Sequence, residues 1–241
     1  MSIPGDDVDI PVIVRTLARG ARLTPVWRNG IGGLTFRTDD ERYIKWGPHD
    51  AEATMRDEAE RMRWARRWTI VPEVLEQGED AVQEWLVTAA LSGRSAVDPR
   101  WIAEPDTAVR AVGAALRRLH DALPVAECPW SWDPATRIEN AAARGVSVPL
   151  DLRTAPSVDR LVVCHGDACV PNTLLDDDGH PLAHVDLAAL GAADRWADIA
   201  VASMSTEWNY GPGWEEPLIA AYGVDPDPVR LDYYRRLWNA T

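Results

Sequence analysis

The segment VVCHGDACVPN, residues 162–172, constrains this chain more than any other part of its sequence. A short apolar run, typical of a buried strand, ends at a polar turn that carries Asp167 and, five residues later, Asn172. A second apolar run, PLAHVDLA, carries Asp186, and the turn signal DDDGH lies between the two runs. We therefore expect neighbouring strands that bring these three oxygen-bearing side chains to one hairpin-like edge.

Phosphoryl transfer needs this set of side chains. One carboxylate orients an attacking hydroxyl and accepts its proton, while a carboxylate and a carboxamide hold Mg²⁺ on the nucleotide phosphates. The step from Asp167 to Asn172 equals that of the protein-kinase catalytic loop, with His-Gly-Asp in place of His-Arg-Asp. The plainer alternative is that Asp167 and Asn172 only shape an Asx-type turn and that Asp186 is solvated.

Residues that could bind a nucleotide occur earlier in the chain. Lys45 lies in the strand-like run RYIKW, and Glu58 follows on a helix; such a pair contacts the α- and β-phosphates in kinases. Glu60 is an alternative partner for the lysine. The turn NGIGGLTFRT, with Gly32 and Gly33, could cover phosphates with backbone N–H groups. The chain lacks a GxxxxGK[ST] motif, which disfavours a P-loop kinase.

The first part of the chain alternates short strand-like runs with polar turns. These runs are RLTPVW, GLTFRT and RYIKW, followed after a helix by TIVPEVLEQ and EWLVTAAL. The helix DAEATMRDEAERMRWARRW has one apolar stripe, formed by Ala51, Met55, Ala59 and Met62. The Gly-, Ser- and Pro-containing segment SGRSAVDP then marks the expected boundary between two lobes.

The later part of the chain is predicted to be mostly helical. Its first long helix, DTAVRAVGAALRRLHDAL, has Asp106 as the expected N-cap. The apolar stripe of this helix is Val109, Val112, Leu116 and Leu119.

Composition narrows the classes of partner. A formal net charge of −13 argues against a nucleic-acid binder, which needs clustered Lys and Arg, and suits a cationic small molecule. There is no apolar run of membrane-spanning length and no signal-peptide pattern, so we expect a soluble, cytoplasmic protein without membrane partners. The cysteines Cys128, Cys164 and Cys169 form no CxxC pair and are expected to be reduced.

The run VVCHGDACVPN, followed by HVDLAALGAADRWADIAVA, resembles the signature of the aminoglycoside phosphotransferase family, and most closely that of its 3′- and 3″-phosphotransferases. DEAERMRWA, LRRLHDALPVAECPW and LDYYRRLW support the match, which covers most of the chain in order. The resemblance implies an α+β, two-lobed protein-kinase-like fold with ATP between the lobes. Residues 1–91 would form a β-rich, nucleotide-binding N-lobe with one helix. Residues 92–241 would form a mostly helical C-lobe with the catalytic hairpin and the acceptor-binding helices.

The resemblance also implies the role of each site residue. Asp167 would be the catalytic base, Asn172 and Asp186 the ligands of Mg²⁺, and Lys45 the phosphate-binding lysine paired with Glu58. Gly32 and Gly33 would cover the phosphates, and the backbone from Thr88 to Ala90 would meet the adenine ring of ATP, with GTP as the alternative nucleotide. His165 and Gly166 would shape the catalytic loop. Asp194 and Asp198 would brace the following helix, with Arg195 as their partner.

Departures from the family pattern fall near the metal loop and on the acceptor side. The family's Gly-Arg pair after the metal-binding aspartate is Ala188-Ala189 here, and Met204-Ser205 stands where the family has an acceptor-binding acid. The segment between His120 and His165 is short, and the chain ends in WNAT rather than in an acidic, aromatic tail. The acids Glu207, Glu215 and Glu216 could line a different acceptor site, or they could be solvated.

The implied activity is ATP- and Mg²⁺-dependent transfer of the γ-phosphoryl group to a hydroxyl of an aminoglycoside antibiotic, with resistance as the consequence. Alternatives are a kinase of another small hydroxyl metabolite, such as a choline-like, sugar or homoserine-type alcohol, and a nucleotide-binding pseudokinase. The identity of the acceptor, the hydroxyl that is modified and the oligomeric state stay open at this level.

Overall fold

The structure is a computed structural model that describes residues 8–49 and 54–241. The backbone contacts divide the chain into two units. The first unit comprises Met1–Arg67 and Pro72–Leu91, and the second comprises Trp68–Val71 and Ser92–Thr241. The first is β-rich and the second mostly helical, as predicted. The assignment of nucleotide binding to residues 1–91 and acceptor binding to residues 92–241 stays a prediction.

A five-stranded antiparallel sheet forms the centre of the first unit. Its order is β1-β2-β3-β5-β4, so the chain leaves the sheet after β3, forms a helix and returns. All five strand-like runs of the sequence lie in this sheet. The strands are β1 Leu23–Arg28, β2 Leu34–Thr38, β3 Arg42–Pro48, β4 Val74–Glu79 and β5 Gln83–Ala89.

The described residues of the first unit form two helices, α1 (Val12–Ala18) and α2 (Met55–Ala65), so the expectation of a single helix was wrong. Helix α1 has only seven residues and a β-branched start, which hides its helical period in the sequence. Val14 and Leu17 pack with Phe36 and Ile44 in one buried cluster. Burial against the sheet therefore stabilises a helix that local propensity does not predict.

Helix α2 begins where its capping box places it. The Thr54 hydroxyl accepts a hydrogen bond from the Asp57 N–H at 3.0 Å, and the Asp57 carboxylate accepts one from the Thr54 N–H at 3.3 Å. Ala59 and Met62 of the predicted stripe are buried, and Met55 is half-buried. Ala51, the first member of that stripe, lies outside the described residues.

Six helices dominate the second unit within the described residues. They are α3 Pro99–Ile102, α4 Pro105–Ala122, α5 Pro134–Ala143, α6 Trp196–Tyr210, α7 Glu215–Tyr222 and α8 Pro228–Ala240. Five short strands accompany them: β6 Arg94–Ser95, β7 Leu161–Cys164, β8 Thr173–Leu175, β9 Pro181–His184 and β10 Gly191–Asp194.

Helix α4 is the centre of this unit, and the whole predicted stripe is buried: Val109, Val112, Leu116 and Leu119. The predicted N-cap was wrong. The helix starts one residue earlier, at Pro105, with Glu104 at the N-cap. Asp106 lies in the first turn, where its carboxylate binds Arg110 Nε at 2.9 and 3.0 Å.

The predicted strand pairing needs correction. The apolar run of β7 pairs with β10, whereas the turn DDDGH joins β8 to β9. Strand β8 has only three residues, too few to show a period in the sequence. Asp176 Oδ1 closes the turn by accepting hydrogen bonds from the backbone N–H groups of Asp178 at 3.0 Å and His180 at 2.8 Å.

Among the described residues, no helix has the length and apolar character needed to span a bilayer.

Helices α4 and α7 approach each other closely at Gly113. A Cβ atom at this position would collide with the backbone carbonyl of Leu218. We expect Gly113→Ala to lower the free energy of unfolding, because overpacking costs about 1–3 kcal/mol and exceeds the gain of roughly 1 kcal/mol in helix propensity. Urea unfolding would measure this change in the free energy of unfolding. Arg110→Ala, exposed on the same helix, should stay within about 0.5 kcal/mol of wild type; a stabilised Gly113→Ala variant would contradict the close approach.

Candidate active site

The loop after β7 is shaped by His165 and Gly166. His165 is fully buried, and its Nε2–H donates to the Val185 carbonyl at 3.0 Å, while its Nδ1 accepts from the Asp167 N–H at 3.3 Å. Both ring nitrogens are therefore used structurally, as predicted. Gly166 has a φ of 87°, and a Cβ there would collide with the carbonyl of Ala189, so only glycine fits this position.

The loop brings Asp167, Asn172 and Asp186 together. Asn172 Nδ2 donates to the backbone carbonyl of Asp167 at 3.0 Å and to its Oδ2 at 3.2 Å. The Val185 N–H donates to the Asn172 carbonyl at 3.0 Å, which places Asp186 beside Asn172. The three side chains that the sequence singled out thus lie on one edge of the second unit.

Asp167 is half-buried with a buried Oδ1 atom, and its carboxylate is electrostatically unfavourable. Its Oδ1 accepts no hydrogen bond from any described residue. Burial raises the pKa of Asp167 above its ordinary value, and the negative charge of Asp186 raises it further. Both Asn172 hydrogen bonds to Asp167 use the amide nitrogen, so the amide oxygen is the atom that can face a cation. A hard divalent cation prefers such a set of oxygen donors, so these residues fit Mg²⁺.

Asp198 fixes the position of the loop after β7 through hydrogen bonds to its backbone. Its Oδ2 accepts from the His165 N–H at 2.6 Å and its Oδ1 from the Gly166 N–H at 3.0 Å. A carboxylate only accepts, so His120 Nε2–H is the donor to Oδ2 at 2.9 Å, and His120 Nδ1 meets the Tyr222 hydroxyl at 2.7 Å. Burial alone would raise the pKa of Asp198, but the hydrogen bond and charge of His120 hold this pKa below its ordinary value.

The predicted roles of Asp194 and Arg195 are only partly right. Asp194 lies just before the N-cap residue Arg195 and braces the start of α6: its Oδ1 accepts from the Trp196 N–H at 3.2 Å and its Oδ2 from the Asp159 N–H at 3.0 Å. Arg195 does not pair with Asp194 or Asp198; it binds Asp159 Oδ2 through Nε at 2.7 Å and Nη2 at 2.6 Å. Asp198 is already satisfied by the loop, and Asp159 is the acid within reach. Burial raises the pKa of Asp194, in contrast to that of Asp198.

In the first unit, Lys45 on β3 pairs with Glu58 on α2. Lys45 Nζ lies 2.7 and 2.9 Å from the two oxygens of Glu58, which is 3% exposed. Glu60, the alternative partner, is exposed. Lys45 is also the only lysine of the chain, because every other member of its 25 Lys and Arg residues is arginine. A single lysine among arginines points to a position that needs a compact ammonium group.

The glycine turn between β1 and β2 is closed by Asn29, a residue that sequence reasoning missed. Asn29 Oδ1 accepts from the N–H groups of Ile31 at 3.2 Å and Gly33 at 2.6 Å, and the Asn29 carbonyl accepts from the Gly32 N–H at 3.4 Å. These three amides are thus engaged within the turn. Contact between phosphates and the amides of Gly32 and Gly33 stays a prediction. It requires the Asn29 side chain to move away from Gly33 and the Asn29 backbone carbonyl to move away from Gly32.

The segment from Thr88 to Ala90 lies at the end of β5. The Ala90 N–H donates to the Glu41 carbonyl at 2.8 Å, and the Ala89 N–H donates to the Glu73 carbonyl at 2.9 Å. Thr88 is buried within the sheet. The predicted contact with adenine therefore stays a prediction, and these two amides already have partners inside the unit.

Three glutamates were candidates for an acidic acceptor site, and they differ in the structure. Glu215 forms an ion pair with Arg235, whose Nη2 also donates to Ser203 Oγ at 2.7 Å. Glu207 and Glu216 are exposed. Glu215 is thus tied to an arginine, although its side chain is still 41% exposed.

Comparisons with known proteins agree with this geometry. The model of the phosphotransferase enzyme family matches residues 28–234. An aminoglycoside 3′-phosphotransferase of Streptomyces fradiae is 33% identical over 227 residues, which cover 82% of this chain and 84% of that protein. The chain belongs to the aminoglycoside phosphotransferase family. Its membership confirms the resemblance seen in the sequence and identifies the chain as a phosphotransferase.

Two further family members extend the comparison. A streptomycin 3″-kinase of Streptomyces griseus is 32% identical over 239 residues, covering 86% of this chain and 87% of that protein. The structure of an aminoglycoside phosphotransferase from Streptomyces rimosus in complex with ADP and streptomycin has a TM-score of 0.71 and 28% identity. It covers 93% of this chain and 95% of that chain. The predicted α+β, protein-kinase-like fold class is confirmed.

Asp198 and Asp194 provide a matched pair of substitutions. We expect Asp198→Asn to lower the free energy of unfolding at pH 7 by about 3–5 kcal/mol, because an amide would face three hydrogen-bond donors in a buried site. Asp194→Asn should cost less than Asp198→Asn, because burial disfavours the charged form of Asp194 and its oxygens accept from two backbone N–H groups, those of Asp159 and Trp196, instead of three donors. Chemical denaturation would measure both.

The pH dependence checks the cause. The pKa of Asp198 is lowered by folding, so its contribution is present above the ordinary value of 3.8 and is lost as the pH falls through the lower folded value. The difference in free energy of unfolding between wild type and Asp198→Asn should therefore become smaller as the pH is lowered. If Asp198→Asn and Asp194→Asn lowered the free energy of unfolding equally at pH 7, the proposed stabilisation of the loop by Asp198 would be contradicted.

Proposed function

We propose that this chain is an ATP- and Mg²⁺-dependent O-phosphotransferase that moves the γ-phosphoryl group to a hydroxyl of a cationic aminoglycoside, with antibiotic resistance as the consequence. The observation that carries the proposal is the half-buried Asp167 carboxylate, whose Oδ1 atom is buried without a hydrogen bond from the described residues and which lies beside Asn172 and Asp186. A carboxylate with an oxygen free to accept a hydrogen bond can orient the hydroxyl group of an acceptor.

Asp167 would act on the acceptor. Its Oδ1 accepts a hydrogen bond from the acceptor hydroxyl and holds that oxygen in line with the γ-phosphorus. The hydroxyl oxygen forms the new P–O bond as the bond from the γ-phosphorus to the β–γ bridging oxygen breaks, and ADP leaves. The hydroxyl proton passes to Asp167 and then to solvent. The hydrogen bonds that Asp198 accepts from the catalytic loop would keep the Asp167 carboxylate oriented throughout the reaction.

Asn172 and Asp186 would hold the magnesium ion through their side-chain oxygens. When bound, Mg²⁺ neutralises charge on the phosphate oxygens. The same cation would offset the repulsion between Asp167 and Asp186, which accounts for two neighbouring carboxylates at a buried edge.

Lys45 would contact the α- and β-phosphates, and Glu58 would fix the position of its ammonium group. The hydrogen bonds to both Glu58 oxygens support this role, because they orient Nζ before any nucleotide binds. Gly32 and Gly33 would cover the phosphates once Asn29 releases their amides, and the backbone from Thr88 to Ala90 would meet the base.

The acceptor class rests on charge and on the relatives. The net charge of −13 favours a cationic acceptor, and the relatives described above are named for aminoglycosides and streptomycin. The presence of all four residues Asp167, Asn172, Asp186 and Lys45 favours an active enzyme over a pseudokinase, since a chain without catalysis has no chemical need for all four.

The first test is acceptor-dependent ADP release with Mg²⁺ and ATP, using kanamycin, neomycin, streptomycin and hygromycin. Asp167→Asn should lower kcat by at least about 10²-fold, because the base is lost, and should leave the Kd for ADP within about twofold. Glu127→Gln, a surface change in the same unit, should behave like wild type. ADP release that needs no acceptor, or that survives in Asp167→Asn, would contradict the proposed role.

The same variant tests the electrostatic strain at Asp167. Because folding raises its pKa, the charged carboxylate opposes folding above the ordinary value of 3.8, and this cost disappears when acid protonates the group in both states. Asp167→Asn should therefore raise the melting temperature of the metal-free protein at pH 7.5 by roughly 2 °C, and the gain should vanish near pH 3. Differential scanning calorimetry would measure both values.

Lys45→Arg tests the need for an ammonium group. Guanidinium is larger and planar, so it cannot occupy the same position between Glu58 and the phosphates. We expect kcat/KM for ATP to fall by at least about tenfold in both Lys45→Arg and Lys45→Met. Arg63→Lys, an exposed change on α2, is the matched control. Full activity of Lys45→Arg would show that charge alone suffices.

A further inference from the structure

A buried carboxylate attaches the start of helix α2 to the sheet. Glu84, on β5, is 2% exposed, and its Oε2 accepts a hydrogen bond from the Met55 N–H at 2.9 Å. Met55 is the first residue of α2, so its N–H has no partner within the helix. The positive end of the helix dipole also favours a carboxylate at this position.

This hydrogen bond lies on the face of the sheet that carries Lys45. Glu84 lies opposite Gly47 of β3, and Gly47 follows Lys45 by two residues. Residues two apart in a strand share a face of the sheet, as do residues paired across neighbouring strands. Glu84 and Lys45 therefore point to the same face, the one on which Glu58 of α2 meets Lys45 at 2.7 and 2.9 Å.

The anchored amide is also close to Glu58 along the helix. Met55 precedes Glu58 by three residues, which is about one turn of helix. A shift of the helix start would therefore carry the Glu58 carboxylate with it. The position of Glu58 relative to Lys45 thus depends on where Glu84 holds the Met55 N–H.

A second acid binds the start of α2, and it differs from Glu84 in exposure. Glu79 of β4 lies directly opposite Glu84 and forms an ion pair with Arg56. Both members of this pair are exposed, and exposed ion pairs contribute little to stability. Glu84 is buried, where a carboxylate is costly. An apolar side chain would pack there at lower cost but would not fix the position of the Met55 N–H.

We propose that Glu84 is a positioning residue for phosphoryl transfer. By holding the start of α2 against β5, it keeps Glu58 in the place where Glu58 orients the ammonium group of Lys45. Its effect on the nucleotide is indirect and passes through this ion pair. The inference rests on the proposed function, because the position of Lys45 affects the reaction only if Lys45 binds the phosphates.

Kinetics with ATP and a phosphorylated acceptor test the inference. Glu84→Ala should lower kcat/KM for ATP by at least about tenfold, because the ammonium group of Lys45 would lose its orientation. Glu84→Gln keeps an oxygen acceptor for the Met55 N–H and should lose less than about threefold. Glu79→Ala, the matched control on the neighbouring strand, should stay within about twofold of wild type. A loss in Glu84→Ala no larger than that in Glu79→Ala would overturn the inference.

A double-mutant cycle separates positioning from a general loss of stability. If Glu84 acts through Lys45, adding Glu84→Ala to Lys45→Met should lower kcat/KM for ATP by less than a further factor of about two. Losses that multiply in the double variant would show that Glu84 acts by another route, and would overturn the inference.

A second pair of variants replaces Glu84→Ala if that protein does not fold. Met55→Pro removes the N–H that Glu84 binds, and proline is well accepted as the first residue of a helix. Met55→Ala removes the side chain and keeps the N–H. We expect a loss of at least about tenfold in kcat/KM for ATP in Met55→Pro and of less than about threefold in Met55→Ala. Equal losses would overturn the inference.

Nuclear magnetic resonance tests the inference without the proposed function. Protein that contains isotopically labelled lysine has one side-chain ammonium signal, because Lys45 is the only lysine. Charge-assisted hydrogen bonds to Glu58 slow the exchange of the ammonium protons with water. The signal should be present in wild type and Glu79→Ala, and lost to exchange in folded Glu84→Ala or Met55→Pro. A signal retained in those two variants, or absent from wild type, would overturn the inference. If the signal behaves as expected but no acceptor is phosphorylated, the proposed function fails and the positioning of Lys45 by Glu84 stands.

Discussion

The candidate active site depends on one buried carboxylate that never meets a substrate. Asp198 accepts hydrogen bonds from two consecutive amides of the catalytic loop and from His120, and it has no contact with solvent. These bonds set the path of the chain between His165 and Asp167. The cost of burying the charge is offset by three donors, so the loop takes one conformation instead of several. Tyr222 then extends the network to α7, which couples the loop to the packing of the helices.

The residues proposed for catalysis, Asp167 and Asp186, have the opposite effect and lower the stability of the folded protein. Asp167 is half-buried next to Asp186, keeps an oxygen without a hydrogen bond and has a raised pKa. A chain selected only for stability would place neutral side chains there, so the pair has the character of a cation site formed in advance. The two aspartates of the loop region therefore differ: both oxygens of Asp198 accept hydrogen bonds from the protein, whereas Asp167 Oδ1 accepts none from the described residues.

Sequence reasoning predicted which residues with kinase-like spacing lie together, and it missed residues and elements that depend on packing; the chemical roles of the former stay predictions. Two patterns can be recognised in the sequence alone, because each depends on residue type at a fixed separation. They are the five-residue step from Asp167 to Asn172 and the strand-helix pair of Lys45 and Glu58. The three-residue strand β8 and the seven-residue helix α1 are too short to show a period, and burial stabilises them only once the sheets exist. Asn29 was missed for a related reason, since its side-chain bonds to its own turn leave no pattern beyond an Asn-Gly step.

The single lysine has a consequence for the chemistry of the whole molecule. Apart from a terminal amine, Lys45 supplies the only primary amino group among 241 residues. Reagents that acylate amines scatter over the surface of most proteins, but here they have one side-chain target, and it is the group paired with Glu58. Amine-coupled immobilisation or labelling of this protein would therefore have the Lys45–Glu58 ion pair as its one side-chain target, and arginine-directed or thiol-directed chemistry is the route that leaves that ion pair intact.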